Sequence, residues 1–295
     1  MTPTGSQGLP ALAVALSAVI WGLWWLPLRW LAERGLPGDW ASLAVYSVAT
    51  ALLVPFAWPR RRQLRAGGPA LLLTGALFGV MLVLWNHAVL VGEVVRVVLL
   101  FYLAPVWATL LAVTVLRVRV GPWRGASVLL GLAGAAVILG FEHGPPVPRS
   151  AGDWLGLGSG VLFALAATLA RRTEAVAGFD KTFVSFAAAA LAALALVAAE
   201  PPAGPTGREM LAALPLAAAT AVIWMLPATW LVFWGATRLE PGRVSILLLL
   251  EVVAASASAS LLTDEPFGWR EAGGGVLILL AGLVEASPEL RPRAP

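Results

Sequence analysis

Ala88-Val89-Leu90-Val91-Gly92-Glu93-Val94-Val95-Arg96-Val97 interrupts a long apolar stretch, and the fold turns on how this segment is read. Gly92, Glu93 and Arg96 are the only break in it. Taken as a break, they separate two apolar runs, 69–91 and 94–116. Taken as continuous helix, they fuse the two and reverse the membrane orientation of everything that follows.

Outward from this segment the chain falls into further apolar runs bounded by charge, Pro or Gly clusters. They lie at 9–31, 40–58, 123–141, 154–172, 181–199, 210–235, 243–262 and 271–287. A spanning helix needs roughly 20 mostly apolar residues, so the pattern predicts ten transmembrane helices. Composition agrees. Of 295 residues, 59% are apolar and 12% charged, with a mean hydropathy of +0.85, whereas a soluble domain carries roughly a quarter charged residues. Connections of about ten residues each leave no room for a separate soluble domain. Met1 to Pro10 contains no basic region and no clear cleavage site follows the first run, which is therefore expected to be a retained span.

Charge placement tests the break. With the N-terminus inside, the inner connections hold Arg60, Arg61, Arg62, Arg65, Arg117, Arg119, Arg124, Arg171, Arg172, Lys181, Arg238, Arg243, Arg291 and Arg293, fourteen in all. The outer side holds six: Arg29, Arg34, Arg96, Arg149, Arg208 and Arg270. Every neighbouring pair of connections obeys the positive-inside rule, and nine spans would break the alternation after residue 95. Both termini are expected in the cytoplasm.

The net charge of +4 does not indicate nucleic-acid binding, because the basic residues form short clusters between apolar runs and no single stripe. Nineteen of the twenty are Arg, and with abundant Ala and Gly this suggests a GC-rich bacterial source. There are no cysteines, hence no disulfides and no Cys-ligated metal.

The chain repeats itself. Arg96-Val97, followed by an apolar run reaching Trp123-Arg124, matches Arg243-Val244 followed by one reaching Trp269-Arg270. A weaker match aligns Ser17, Trp21 and Arg29 with Ser159, Phe163 and Arg171. The division expected is 1–145 and 146–295, with five spans in each half. Five is odd, so the second half would enter the membrane inverted, an arrangement that lets one half rock against the other around a midplane site.

Glu251 is the most informative single residue, near the centre of the ninth run, eight positions past Arg243. Ionised in lipid it would cost at least about 2.5 kcal/mol, so it should face protein or a wet cavity. It reads either as a substrate-amine or proton-titrating group, or as a protonated carboxyl bonded to a neighbouring helix. Asn86 and His87 lie in the outer third of the third run, His87 as a proton relay or as a satisfied interfacial histidine. Two separated histidines (His87 and His143) and one deep carboxylate make no metal site, and neither a metal nor a cofactor is expected. Of fourteen tryptophans, Trp30, Trp40, Trp58, Trp123, Trp154 and Trp269 fall at expected membrane boundaries. Trp21, Trp25, Trp107 and Trp224 lie deeper, as an aromatic wall for a pocket or as helix-packing and lipid-facing rings. Pro27, Pro105 and Pro227 should kink their helices, and Gly75 with Gly79, Gly131 with Ala135, and Gly273 to Gly275 give small packing faces.

The run Leu99-Leu100-Phe101-Tyr102-Leu103-Ala104-Pro105-Val106-Trp107, with Glu251-Val252-Val253-Ala254 and Thr263-Asp264-Glu265-Pro266 in the second half, resembles the EamA type of the drug/metabolite transporter superfamily. The family's Pro is replaced by Val252, and the first half has Arg117-Val118-Arg119-Val120 where the acidic turn would lie. The resemblance covers roughly 12–287 and within the superfamily is most like the YddG-type exporters of aromatic and other neutral amino acids. It implies an all-α integral membrane protein in which two inverted five-helix repeats surround a central cavity. Spans 1, 3, 4, 6, 8 and 9 would line that cavity, carrying Trp21, Trp25, Asn86, His87, Tyr102, Phe163, Trp224 and Glu251. The activity implied is export of a small organic solute by alternating access in a bacterial inner membrane, not enzymatic catalysis. An uncoupled facilitator, or an exporter of another metabolite or drug, is the alternative. The partners implied are the substrate and membrane lipid, with no nucleic acid and a monomeric working unit.

Overall fold

The computed structural model describes residues 8–92, 94–117, 121–139, 148–199, 204–262 and 268–286. Every regular element in them is helical: α1 (Gly8–Gly22), α2 (Trp25–Glu33), α3 (Asp39–Ala57), α4 (Arg61–Ala66), α5 (Gly68–Val91), α6 (Val94–Phe101), α7 (Ala104–Thr114), α8 (Pro122–Leu139), α9 (Ala151–Arg172), α10 (Gly178–Ala199), α11 (Gly207–Thr220), a π-helical turn (Ala221–Met225), α12 (Leu226–Ala236), α13 (Pro241–Leu248), α14 (Leu250–Leu262) and α15 (Trp269–Ala286). Each apolar run of the sequence coincides, within three residues, with one helix or with two joined by a short break.

Seven stretches are long and apolar enough to cross a bilayer: Gly8–Glu33, Asp39–Ala57, Gly68–Val91, Ala151–Arg172, Gly178–Ala199, Gly207–Ala236 and Pro241–Leu262. The 24 residues of α5 rise about 36 Å. Ala104–Thr114 is apolar but shorter, and the apolar stretches Pro122–Ile138 and Ala272–Val284 lie within α8 and α15, each 18 residues long. The bundle is built for lipid. Phe56, Leu72, Leu129, Leu191 and Leu211 are each 60% exposed or more, while Ser17, Thr74, Ser159 and Thr229 are fully buried. Apolar surface outside and small polar groups at helix contacts are what a membrane solvent selects. One such contact is the Ser17 hydroxyl, which donates to the Ala228 carbonyl at 2.8 Å and ties α1 to α12.

The decisive segment is a break. Helix α5 ends at Val91, Gly92 is extended (φ −117°, ψ 176°), and α6 starts at Val94. Gly92 also lies against Gly152, where a Cβ on either residue would come within 3.0 Å of the other's backbone. Arg96 is not a solvent-exposed connection residue. It is 7% exposed and donates through Nη2 to Asp153 Oδ2 at 2.9 Å, joining α6 to α9. Arg243, expected in a connection, lies inside α13 at 2% exposure.

Helix contacts come in pairs that interchange when the first five segments are exchanged for the last five. The contact α5–α9 has its counterpart in α1–α12, α5–α10 in α3–α11, α7–α9 in α1–α14, and α6–α8 in α13–α15. The contacts α3–α10 and α8–α15 map onto themselves. Glycines allow the closest approaches: Gly79 lies over the Ser185 carbonyl and Gly134 over the Gly274 carbonyl.

At one end of the bundle basic side chains tie helix termini together. Arg60 donates from Nε and Nη2 to the two oxygens of Asp180, at 2.8 and 3.0 Å. The fully buried Lys181 donates to the Ala170 and Thr173 carbonyls at the end of α9. Arg171 reaches the Thr237 carbonyl, Arg172 the Val115 carbonyl, and Arg124 pairs with Glu240. The opposite end carries Arg29, Gly38, Leu90 and Arg96. Arg119, His143, Arg291, Arg293 and Thr263-Asp264-Glu265-Pro266 lie outside the described residues.

Candidate functional site

Two connected chambers occupy the centre of the bundle. The larger, a vestibule of about 500 Å³, is lined by residues of α1, α2, α3, α5, α6 and α14. Its rim is formed by Arg29, Ala32, Gly38 and Leu90, of which Leu90 is 53% exposed. That volume lies within the range usual for small-molecule sites. The smaller chamber, about 50 Å³, lies between Phe78, Phe101, Phe163, Val232, Ser245 and Leu248. It has room for one or two waters. Trp21, Trp85, Asn86, Tyr102 and Glu251 line both.

Helix breaks put the polar groups here. Pro105 has no N–H for the Phe101 carbonyl, and the chain turns through Tyr102 and Leu103 between α6 and α7. In the matching place of the second half, Leu249 separates α13 from α14, with Leu249 N–H bonded to the Ile246 carbonyl and Val252 N–H to that of Leu249. Glu251 therefore sits in the first turn of α14. Tyr102 and Glu251 lie together in the wall of both chambers, so the two breaks meet at this pair of side chains. Gly22 makes room: a Cβ there would stand 2.6 Å from the Glu251 carbonyl and from the Ala254 Cβ. On the other wall, Asn86 Nδ2 donates to Ser42 Oγ at 2.8 Å and to the Tyr46 hydroxyl at 3.2 Å.

Aromatic rings close the smaller chamber. Phe78 contacts Phe163 and Phe233 with centroids 6.3 and 4.7 Å apart, and Phe101 contacts Phe163, Tyr102 and Trp85 at 6.3, 5.6 and 6.3 Å. Edge-on and tilted rings at these separations attract one another beyond their buried area. They form a plug between the vestibule and the Arg60 end.

Of the eight residues singled out in the sequence, Trp21, Asn86, Tyr102 and Glu251 line both chambers, Trp25 the vestibule and Phe163 the plug. Two are placed elsewhere. His87 lines neither chamber, and its Nδ1 pairs with Asp39 Oδ2 at 2.8 Å, joining α5 to α3. It follows Asn86 by about 100° around the helix and so faces another neighbour. Trp224 lies in the π-helical turn and packs edge-on against Trp30 at 6.1 Å, also away from both chambers. Trp85 and Phe78 were not singled out, although Phe78, Met81, Leu82, Trp85, Asn86 and Val89 form a stripe at helical spacing. Among the described residues, no group of three or more His, Asp or Glu is arranged to hold a metal ion.

The site can thus take a ligand with an apolar, flat body and a hydrogen-bond donor for Glu251. Comparison with known proteins bears on what kind of molecule holds such a site. The model of the EamA-like transporter family matches the chain twice, over residues 8–140 and 150–284. A comparison with curated protein sequences finds no match. A solved crystal structure superposes with a TM-score of 0.72 over 94% of this chain and 96% of its own, at 21% identity, which is a likeness of fold.

Proposed function

The chain belongs to the EamA-like transporter family, and from that membership we propose that it is a secondary transporter. Its substrates are small organic solutes, aromatic and other neutral amino acids foremost, exported by alternating access across a bacterial inner membrane. The observation that carries this reading is the asymmetry of the central cavity. A vestibule of about 500 Å³ opens at the Arg29 end. At the other end an aromatic plug and the Arg60–Asp180, Arg124–Glu240 and Arg172–Val115 ties close the bundle. A carrier caught open to one side has this form.

Ten spans, divided at about residue 145 into two inverted repeats, supply the motion. The interchanging helix contacts support that symmetry, and the charge-rich end supports cytoplasmic termini. One chain encloses the whole cavity, which supports a monomeric working unit. The aromatic walls would pack the side chain of the solute, with Glu251 meeting its ammonium group.

The test is counterflow of labelled tryptophan, phenylalanine and leucine in proteoliposomes of the purified protein, with and without a proton gradient. Saturable exchange that is lost in Glu251→Gln and in Trp21→Ala is expected. Absence of exchange for every neutral amino acid would remove the substrate reading. Linear, unsaturable flux without counterflow would replace the carrier by a facilitator.

A further inference from the structure

The cavity is acidic and apolar and offers no inward-facing positive group among its described lining residues. Glu251 is the single acid in the described walls of the two chambers, and Arg29 the single base. Arg29 does not reach inward: its side chain is 64% exposed and pairs with Glu33 at 3.4 Å. Of the lining hydroxyls, Ser245 donates to the Pro241 carbonyl and Ser256 to the Val252 carbonyl, while Ser42 and Tyr102 offer only neutral O–H groups. Asn86 spends its N–H₂ on Ser42 and Tyr46, which leaves its carbonyl oxygen as a further acceptor. Among the indoles, Trp25 donates to Ser258, and the Trp24 and Trp85 nitrogens are covered by the wall itself. Trp21 adds one neutral N–H, with no cation below the rim to accompany it.

Such a lining is complementary to an ammonium group and not to a carboxylate. Three N–H donors on a positive nitrogen match a carboxylate, an amide oxygen and the negative faces of Trp and Phe rings. A carboxylate taken into the same space would meet no positive partner, and an unpaired charge in apolar surroundings is strongly disfavoured.

We propose that this site reads its ligand by an ammonium group and a flat apolar body and requires no carboxylate, so that its substrate class is the aromatic organic ammonium ion. It rests on the transport reading above and narrows it: an aromatic amino acid is accepted with its carboxylate turned to the water of the vestibule, and amines or amides lacking that charge are accepted better.

Binding of four labelled probes to the purified full-length protein tests this: tryptophan, tryptophan amide, tryptamine and indole-3-propionate. The expected result is that the amide and tryptamine bind about tenfold more tightly than tryptophan, while indole-3-propionate binds at least tenfold more weakly. Counterflow of benzylguanidinium, which stays charged near neutral pH and keeps N–H donors, should be saturable and inhibited by tryptamine. Tryptophan bound tenfold more tightly than both amines would overturn the inference and leave the amino acid reading standing. Indole-3-propionate bound as well as tryptamine would overturn the ammonium contact altogether. Failure of all four probes, and of amino acid counterflow, would remove the transport reading with it. The series is read on the unaltered protein, so it does not depend on any variant folding. Glu251→Gln, where it elutes as the native protein does, should abolish the preference for amines.

Discussion

Tyr102, at the break between α6 and α7, and Glu251, in the first turn of α14, share the wall of both chambers, so the broken helix of the first half meets the broken helix of the second at this pair. If Tyr102 acts by aiming Glu251, Tyr102→Phe should raise the KM for solute about tenfold, the equivalent of roughly 1.5 kcal/mol for a bond to a charged group. The double variant Tyr102→Phe/Glu251→Gln should then be no worse than Glu251→Gln alone, because residues sharing one interaction are not additive. Additive effects in counterflow kinetics would show that Tyr102 contacts the solute independently.

Wall residues and scaffold residues should separate by kinetics. Trp21→Ala and Trp85→Ala remove ring faces from both chambers, and each is expected to raise KM tenfold or more. His87→Ala and Trp224→Ala should leave KM within twofold. His87→Ala should still lower the Tm, since Asp39, 19% exposed, loses its partner, at a cost of about 1–3 kcal/mol. A large KM change in His87→Ala would return that residue to the transport path.

What could be read in advance divides along physical lines. The break at Gly92 was legible because glycine and charge interrupt helical burial locally. The partner of Arg96 was not, since Asp153 is 57 residues away and only packing brings them together. Glu251 was legible because a carboxylate in an apolar run has few places to go. Trp85 was passed over because one more large apolar residue in an apolar run carries no contrast, and only its helical phase with Asn86 reveals its face. For His87 the sequence left two readings open, because polarity shows depth but not direction around the helix; its pairing with Asp39 fits the satisfied interfacial histidine. The pieces α6 and α7 show the limit of counting spans, because a break at Tyr102–Leu103 divides one run into helices below membrane length.

Helix packing should respond to glycines according to what lies over them. A Cβ at Gly79 would stand 2.3 Å from the Ser185 carbonyl and 2.7 Å from the Ala189 nitrogen, so α5 and α10 must move apart. Gly79→Ala is expected to cost about 1–3 kcal/mol. Gly158, also in a helix, has nothing within 4 Å of its Cβ position. Gly158→Ala should be neutral or mildly stabilising, by up to about 1 kcal/mol of helix propensity. Thermal denaturation in one detergent, read by size exclusion, ranks the two; equal Tm values would contradict the close approach of α5 and α10.

The Arg60–Asp180 pair should be the costliest of the surface arginine contacts to break. Asp180 is 2% exposed, and Phe179 stacks under the guanidinium at 5.4 Å. Arg60→Ala strands a buried carboxylate and is expected to cost about 2–3 kcal/mol, below the fully buried range because Arg60 itself is about a third exposed. Arg62→Ala, on an exposed face, should stay within about 0.5 kcal/mol. The hydrogen bonds to Asp180 raise the Arg60 pKa further above its ordinary value. A raised basic pKa gives stability that is complete below the unfolded value and lost only as pH climbs past the folded one. Both lie far above neutral, so Arg60 should contribute no pH dependence between pH 5 and 9, which urea titrations at several pH values will check.

The span count can be decided because the chain contains no cysteine, so single cysteines report only where they are placed. Pro37 and Gln63 are exposed beyond opposite ends of α3. Beyond the Gly92 break, Ala175 follows α9 and Gly207 begins α11, both exposed, with nothing within 4 Å of the Gly207 Cβ position. In intact cells an impermeant maleimide should label Pro37→Cys and Gly207→Cys, and should reach Gln63→Cys and Ala175→Cys only after lysis. If Gly92–Arg96 did not reverse the chain, the second pair would exchange: Ala175→Cys would label outside and Gly207→Cys would be protected. That exchange would leave nine spans, give the two halves the same orientation, and undo the inverted repeat on which alternating access depends.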